Sequence, residues 1–369
     1  MGKNKGKRVL EKEKSDKKEK KDEVKNSKKG KLDKKSKPKK KKWKIVLLII
    51  LLIIAIAGGV FAYKTYKNGG GLSGALATAM GHNEETKKSL PEFKVLLLGI
   101  STDLDSELTD TIMVASYNPN TQNATLLSIP RDTFVGKSEA KATGSDKINA
   151  LYALKDGPEA TLKAVNDMTE LDIEYYIVVK TEALIKLVDA IGGVQFNVPI
   201  DMKYDDKTQN LHINLTAGEQ TIDGEKAEQL LRFRHNNNGT SYPTEYGDND
   251  IGRMRTQREF MAEVMRQTLK VENLFKLGEI LDIAKENVIT NVDFNVAKDY
   301  LPYAVEFSTE NLTTDTLPGT PKLCNELWFY VYNKAQTEEL VQRLFLRNDN
   351  RRNRSSKNSK YNQYKQNQY

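Results

Sequence analysis

Leu126-Leu127-Ser128-Ile129-Pro130-Arg131-Asp132-Thr133 is the stretch on which the reading of the fold turns. The apolar run over residues 124–129 has the length and composition of a buried strand. Pro130 ends it, because proline cannot donate to a central ladder. An arginine and an aspartate follow at once, at the strand's C-terminal edge. Open sheets with crossover helices collect ligands at such edges; a solvent-facing Arg-Asp turn is the plain alternative. Working outward, residues 93–98 and 111–117 read as further strands buried on both faces. Asn118-Pro119-Asn120 supplies the turn between the second and third strands.

Downstream the periodicity changes repeatedly. Helical stretches are expected near residues 146–154 and 158–169, then a strand at 175–179. Thr181 has the place of an N-cap, followed by Ala183, Leu184, Leu187, Val188 and Ile191 on one helical face. Gly192-Gly193 closes that helix. Strands are expected at 194–198 and 211–215. Helices follow over 223–234, 250–271, 273–286 and 296–306, with a short strand and a last helix ending near Phe345. This alternation predicts an α/β fold, an α-β-α sandwich with a mixed central sheet flanked by helices.

Charge divides the chain. Residues 1–42 carry 21 Lys/Arg against 7 Asp/Glu, whereas residues 65–345 carry 28 against 42. The basic head has too little apolar content to fold. After it, residues 45–63 run for 19 positions without a charge, between Lys44 and Lys64 and beside Trp43 and Tyr63. At about 1.5 Å per residue this spans roughly 28 Å, close to the hydrocarbon thickness of a bilayer. The positive-inside rule places the head in the cytoplasm and the remainder outside, and a polybasic segment beside a span is read as a topology signal rather than a nucleic-acid tail. The expected organisation is a disordered cytoplasmic tail (1–42), a transmembrane helix (43–64), a linker (65–91), an extracellular domain (92–345) and a polar, basic tail (346–369). The one cysteine, Cys324, excludes an intrachain disulfide and a Cys-rich zinc site. Three histidines leave little material for His-centred chemistry, and His212, between Leu211 and Ile213, reads as a strand residue.

Three arginines have reasons to face inward. Arg131 sits at the strand edge. In the helix expected over 223–234, Ala227, Leu230, Leu231 and Arg234 fall at i, i+3, i+4 and i+7, which puts Arg234 on the buried face. In the next helix Arg253 and Gln257 align with Phe260 and Val264. A buried guanidinium must be paired or must hold an anion, and its fork suits phosphate oxygens. Asp250 is read either as an N-cap or as a catalytic part. The apolar residues Phe260, Met261, Val264, Met265, Leu269, Leu274, Phe275, Leu277, Ile280 and Leu281, on two helices, are either ordinary core or the wall of a lipid groove.

Taken together the chain resembles the LytR–CpsA–Psr family of membrane-anchored wall-polymer transferases. Seven signatures carry the resemblance: Leu96-Leu97-Leu98-Gly99, Thr109-Asp110-Thr111, Ser128-Ile129-Pro130-Arg131-Asp132, Lys147-Ile148-Asn149-Ala150, Gly192-Gly193-Val194, Leu231-Arg232-Phe233-Arg234, and Asp250-Ile251-Gly252-Arg253 ahead of Gln257. Each is weak alone; their shared order is specific. The resemblance implies a Mg²⁺-dependent phosphotransferase that moves an anionic glycopolymer, of teichoic acid or capsule type, from undecaprenyl pyrophosphate onto peptidoglycan. It implies Arg131, Arg232, Arg234, Arg253 and Gln257 as pyrophosphate contacts and Asp110, Arg131, Asp132 and Asp250 as catalytic residues. It further implies Asp110 as a metal carboxylate and Phe260, Val264, Leu269, Leu277 and Leu281 as polyprenyl-binding residues. Two positions depart from the family pattern: Ser101 stands where a metal aspartate is usual, and Leu108 where an arginine is usual. Asp103, or Asp105, is the expected replacement carboxylate. These departures keep a second reading open, a membrane-tethered binding or regulatory protein that holds the same lipid without turnover.

Overall fold

A computed structural model describes residues 40–100, 108–208, 211–247 and 249–346. Ser101, Asp103, Asp105 and Asp248 lie outside the described residues, as do most of the basic head and nearly all of the C-terminal tail. The elements follow in chain order. Helices α1 (Lys40–Lys67), α2 (Gly71–Ala79) and α3 (Glu84–Ser89) precede strands β1 (Phe93–Ile100), β2 (Thr109–Asn118) and β3 (Asn123–Ser128). Short 3-10 turns lead to α4 (Gly157–Thr169), β4 (Tyr175–Lys180) and α5 (Thr181–Ala190). Strands β5 (Val194–Val198), β6 (Met202–Asp206), β7 (Leu211–Leu215) and β8 (Gly218–Ile222) come next. Helices α6 (Gly224–Arg232), α7 (Asn249–Thr268), α8 (Val271–Leu274) and α9 (Leu277–Asn287) then lead to β9 (Val288–Thr290). The chain closes with α10 (Phe294–Ala304), β10 (Leu312–Thr316), β11 (Gly319–Cys324), β12 (Leu327–Tyr332) and α11 (Lys334–Val341).

The central sheet has six strands in the order β10-β3-β2-β1-β4-β9. It is mixed: β1–β2 and β2–β3 are antiparallel, β1–β4 and β3–β10 parallel. The pleat sorts side chains to its two faces. Leu96, Leu98, Ile100, Ile112 and Val114 join a core with Ile148, Val165, Met168, Leu340 and Phe345, beneath α4 and α11. A second core gathers α5, α6 and α7 with the strand pairs β5–β8 and β6–β7, around Val188, Phe196, Leu230, Phe233 and Phe260. The α/β reading and the three founding strands hold.

Several local expectations change. Residues 71–79 and 84–89, within the expected linker, are helical, and α2 buries Ser73, Gly74 and Ala77. A Cβ on Gly74 would lie 2.6 Å from the Thr65 carbonyl oxygen, so this turn closes only on glycine. Asn68 fastens it, donating from Nδ2 to Thr78 Oγ1 and to the His82 carbonyl. Thr181 is not the N-cap of α5; Lys180 holds that place, and Thr181 Oγ1 donates instead to the Ile100 carbonyl at 3.2 Å. Helix α6 ends at Arg232 with Phe233 as its extended C-cap, so Arg234 lies beyond the helix and not on its face. One helix, α1, contains an 18-residue stretch, Ile50–Lys67, long and apolar enough to cross a membrane.

Candidate active site

A cavity of about 620 Å³ opens between the C-terminal ends of β1 and β4, the start of β2, the β6–β7 hairpin and helices α6 and α7. Its location follows from the sheet: Leu97, Gly99, Thr111 and Met113 face it from adjacent strands. Gly99 keeps this approach close, since a Cβ would lie 3.0 Å from the Thr111 Cβ across the ladder and push it aside. Arg131, Arg232, Arg234, Arg253 and Gln257 all line it. They arrive from three separate segments: the loop after β3, the end of α6 with its following loop, and the first turns of α7. Leu184, Leu231, Leu211 and Met261 make the apolar side of the wall.

Each arginine is held by a local carboxylate. Arg131 Nη1 donates to Asp110 Oδ1 at 2.6 Å, across the β2–β3 edge. Arg253 Nη2 lies 2.7 Å from Asp250 Oδ1, and Arg234 Nε approaches the same oxygen at 3.6 Å. Arg232 Nη1 donates to Glu228 Oε1 one helical turn back, at 2.9 Å. Gln257 Nε2 donates to the Leu231 carbonyl at 3.0 Å, tying α7 to the end of α6. Gly252 permits this seating, because a Cβ there would run into the Tyr242 ring at 2.4 Å. In the loop after α6, Phe233, Tyr242 and Tyr246 pack ring to ring and support α7.

The local carboxylates do not neutralise the arginines completely. Burial, then the positive charges of Arg253 and Arg131, lower the Arg234 guanidinium from its usual value to about 10, against the opposing pull of Asp250 and Asp110. Arg253 is lowered too, chiefly by burial, with Asp250 opposing. Its side chain is only 5 % exposed, and Arg253 Nε and Arg131 Nε are buried with no partner among the described residues. Guanidinium groups crowded in this way favour an added anion, since a doubly charged oxyanion removes their mutual repulsion.

The remaining expected residues are placed differently. Asp132 does not line the cavity; a tight turn in which Thr133 N–H donates to the Pro130 carbonyl sends it away from Arg131, into a 2.7 Å pair with Lys147. Asp250 is also off the cavity wall; it lies in the first turn of α7 and is not its N-cap, and it orients Arg234 and Arg253. Phe260 and Val264 are buried in the second core, Phe260 edge-on to Phe196 at 5.3 Å, so they are core and not a lipid wall. Leu269 and Leu281 are half-buried away from the cavity, and the Leu277 side chain lies outside the described residues. The apolar wall is built by Leu97, Leu184, Leu211, Leu231 and Met261, of which only Met261 stood among the helical residues named for a groove. Lys180, Tyr204, Thr208 and His235 at the cavity were not foreseen. Only the Lys180 position, ending a strand beside the β1 edge, carried a sequence signal of the same kind as Arg131.

Among the described residues there is no group of three His, Cys, Asp or Glu side chains placed to hold a metal. Mg²⁺, however, is commonly held by one or two carboxylates together with substrate phosphates and waters. Asp110, on the wall and 42 % exposed, fits that partial role.

Comparison with known proteins agrees with this architecture. A teichoic acid transferase, TagU of Oceanobacillus iheyensis, is named as a polyisoprenyl-teichoic acid–peptidoglycan teichoic acid transferase. It is 31% identical over 249 residues, covering 66% of this chain and 72% of that protein. The biofilm regulatory protein A of Streptococcus mutans is 30% identical over 218 residues, or 55% of this chain and 50% of that protein. The crystal structure of B. subtilis TagV superposes with a TM-score of 0.55 at 23% identity, covering 68% of this chain and 96% of that one, and shares the fold. Residues 63–345, which contain the six-stranded sheet, the arginine-lined cavity and both cores, match the LytR_cpsA_psr family, and the chain belongs to that family.

Proposed function

We propose that this protein transfers an anionic glycopolymer from a polyprenyl pyrophosphate, of the undecaprenyl type, to peptidoglycan. The observation that carries the reading is the composition of one cavity. Arginines from three segments gather beside an apolar wall of Leu97, Leu184, Leu231 and Met261, which fits a ligand with a doubly charged phosphate head and a hydrocarbon tail. The relatives named as teichoic acid–peptidoglycan transferases support the same donor and acceptor classes.

In this reading Arg131, Arg234 and Arg253 bind the pyrophosphate, and their fixed donors stabilise the charge that grows on the leaving lipid phosphate. Gln257 ties α7 to the end of α6, and Arg232 and Gln257 border the head group. The acceptor hydroxyl oxygen bonds to the phosphorus next to the glycan as the bridging bond to the lipid phosphate breaks. One phosphodiester is formed and one lipid monophosphate is released. Asp110 would hold Mg²⁺ together with phosphate oxygens, and the ion would supply charge neutralisation there. Helix α1 fits an anchor that keeps the reaction at a membrane, and in this reading the positive-inside rule puts the basic head on the cytoplasmic side and the catalytic domain outside. No nucleic acid enters this reading.

The 2.6 Å engagement of Asp110 with Arg131 favours a second reading, in which the carboxylate only orients the arginine and the protein binds the lipid without turnover. The name of the S. mutans relative is consistent with a regulatory role of that kind. Calorimetry on the detergent-solubilised full chain tests the shared part of both readings. A polyprenyl pyrophosphate should bind at least tenfold more tightly than methylene diphosphonate, and Arg253→Ala should weaken both. Equal affinity for the two ligands rules out the apolar wall as a lipid site.

A further inference from the structure

Behind the main cavity lies a second, much smaller one of about 10 Å³. It is lined by Asp110, Met113, Ser128, Arg131, Arg253 and Gln257 among others, so it backs directly onto the arginine cluster. Three of these residues contribute buried polar atoms with no partner among the described residues: Ser128 Oγ, Arg131 Nε and Arg253 Nε. Ser128 is 1 % exposed and Arg253 4 %. Buried polar groups left unpaired are rare and costly, and the usual resolution is an internal water. The hole is the size of about one water-sized sphere, too small for a phosphate. Two guanidinium N–H groups exclude a cation there, whereas a water oxygen accepts from both and donates to a hydroxyl or carboxylate oxygen.

We infer that one internal water, held by Ser128 Oγ, Arg131 Nε and Arg253 Nε, is a fixed part of this site, and that Ser128 is a positioning residue acting through it. Ser128 is well placed for this. It pairs with Met113 in the β2–β3 ladder and with Thr316 in β10, and its carbonyl accepts from Leu317 N–H at 2.9 Å, so its backbone is held on both sides. The rigid strand therefore sets the water, and the water sets the planes of two arginines that come from different segments. The Nη side of each guanidinium is fixed by a carboxylate, Arg131 by Asp110 and Arg253 by Asp250, so the water on the Nε side completes the orientation that meets an anion. The inference rests on the anion-binding reading of the cavity and adds a device that pre-organises it.

The test uses the detergent-solubilised full chain and methylene diphosphonate as probe. Ser128→Ala removes one of the water's partners without adding bulk. It should weaken diphosphonate binding by about tenfold, the scale of one hydrogen bond in a charged network, with the melting temperature little changed. Ser128→Cys, close in size but a weak hydrogen-bond former, should fall between wild type and Ser128→Ala. Wild-type affinity in both variants overturns the inference, provided that Arg131→Ala loses binding in the same assay. If Arg131→Ala also binds normally, it is the anion pocket itself that fails. A fall in melting temperature without loss of affinity assigns Ser128 a packing role only and likewise overturns the inference. A crystal structure of the full chain showing no ordered water at Ser128 Oγ does the same.

Discussion

Arg234→Gln separates a binding arginine from a structural one, because the two roles predict opposite signs. In the ligand-free protein the Arg234 cation is disfavoured: burial comes first, then the charges of Arg253 and Arg131, which together outweigh Asp250 and Asp110 and bring its value to about 10. A basic group whose value falls on folding opposes folding wherever it is charged. Its side chain is 38 % exposed, so solvent screening limits the relief on removing the charge to about 1 kcal/mol or less. For a domain of this size that is a gain of roughly 0–4 °C in melting temperature. Binding should move the other way, since loss of one charge-assisted donor to a phosphate costs about 1.5–3 kcal/mol, or on the order of tenfold to a hundredfold in Kd. The sign also has a pH signature. The stability advantage of Arg234→Gln should be constant through neutral pH and shrink only in strongly alkaline solution, where the wild-type group, its value lowered chiefly by burial, loses its proton in the folded state before the unfolded one. Differential scanning fluorimetry from pH 7 to 11 and calorimetry with methylene diphosphonate supply both readouts. A variant that melts several degrees lower and binds diphosphonate as wild type would show that Arg234 serves its ion pair with Asp250 and not an anion.

Four further outcomes follow from the same geometry. Phe260→Ala should cost about 3–5 kcal/mol, because its ring is fully buried against Phe196; thermal unfolding should shift down by on the order of 10 °C, and a variant that melts normally but loses lipid binding would restore Phe260 to the lipid wall. Met261→Glu should weaken polyprenyl pyrophosphate binding at least tenfold while leaving methylene diphosphonate within about twofold, measured side by side by calorimetry, because a buried carboxylate opposes a hydrocarbon tail and not the head group. Asp132→Asn should leave turnover unchanged and lower stability by at most about 1 kcal/mol, since its half-exposed pair with Lys147 lies off the cavity; a large fall in turnover would return Asp132 to the catalytic set. Asp110→Asn should keep diphosphonate affinity measured without metal but abolish any strengthening by added Mg²⁺; Mg²⁺ strengthening equal to wild type would place the ion elsewhere.

The central strands were legible because burial on both faces leaves continuous apolar runs, as in Leu96-Leu97-Leu98 and Leu126-Leu127, that admit few other readings. Arg131 was legible for a related reason: a charge directly after such a run has to sit at a sheet edge. Arg234 reached the cavity by a route the periodicity did not show. Helix α6 stops at Arg232, and the extended Phe233 swings the next side chain inward, a local backbone choice that apolar spacing cannot register. The same limit explains Phe260 and Val264. An apolar stripe on α7 marks a face turned inward, and nothing in its spacing distinguishes core from cavity wall. Residues 65–91 were misjudged on composition. They hold three consecutive glycines, Gly69 to Gly71, yet the helices on either side close on contacts that need small residues, Gly74 above all. Lys180, Tyr204, Thr208 and His235 come to the cavity from separate elements through tertiary packing alone, and only Lys180 stood at a place where a charge was expected.

The most direct measurement is a transfer assay on the full chain in lipid nanodiscs. It contains Mg²⁺, a short anionic glycan on polyprenyl pyrophosphate and un-crosslinked peptidoglycan, with mass spectrometry of the digested product. The account predicts a phosphodiester-linked adduct with wild-type protein and at least a hundredfold less with Arg131→Ala, of the scale seen when a transition-state charge donor is removed. An adduct formed equally well by Arg131→Ala, or donor bound by the wild type with no adduct from any anionic glycan donor, would contradict it.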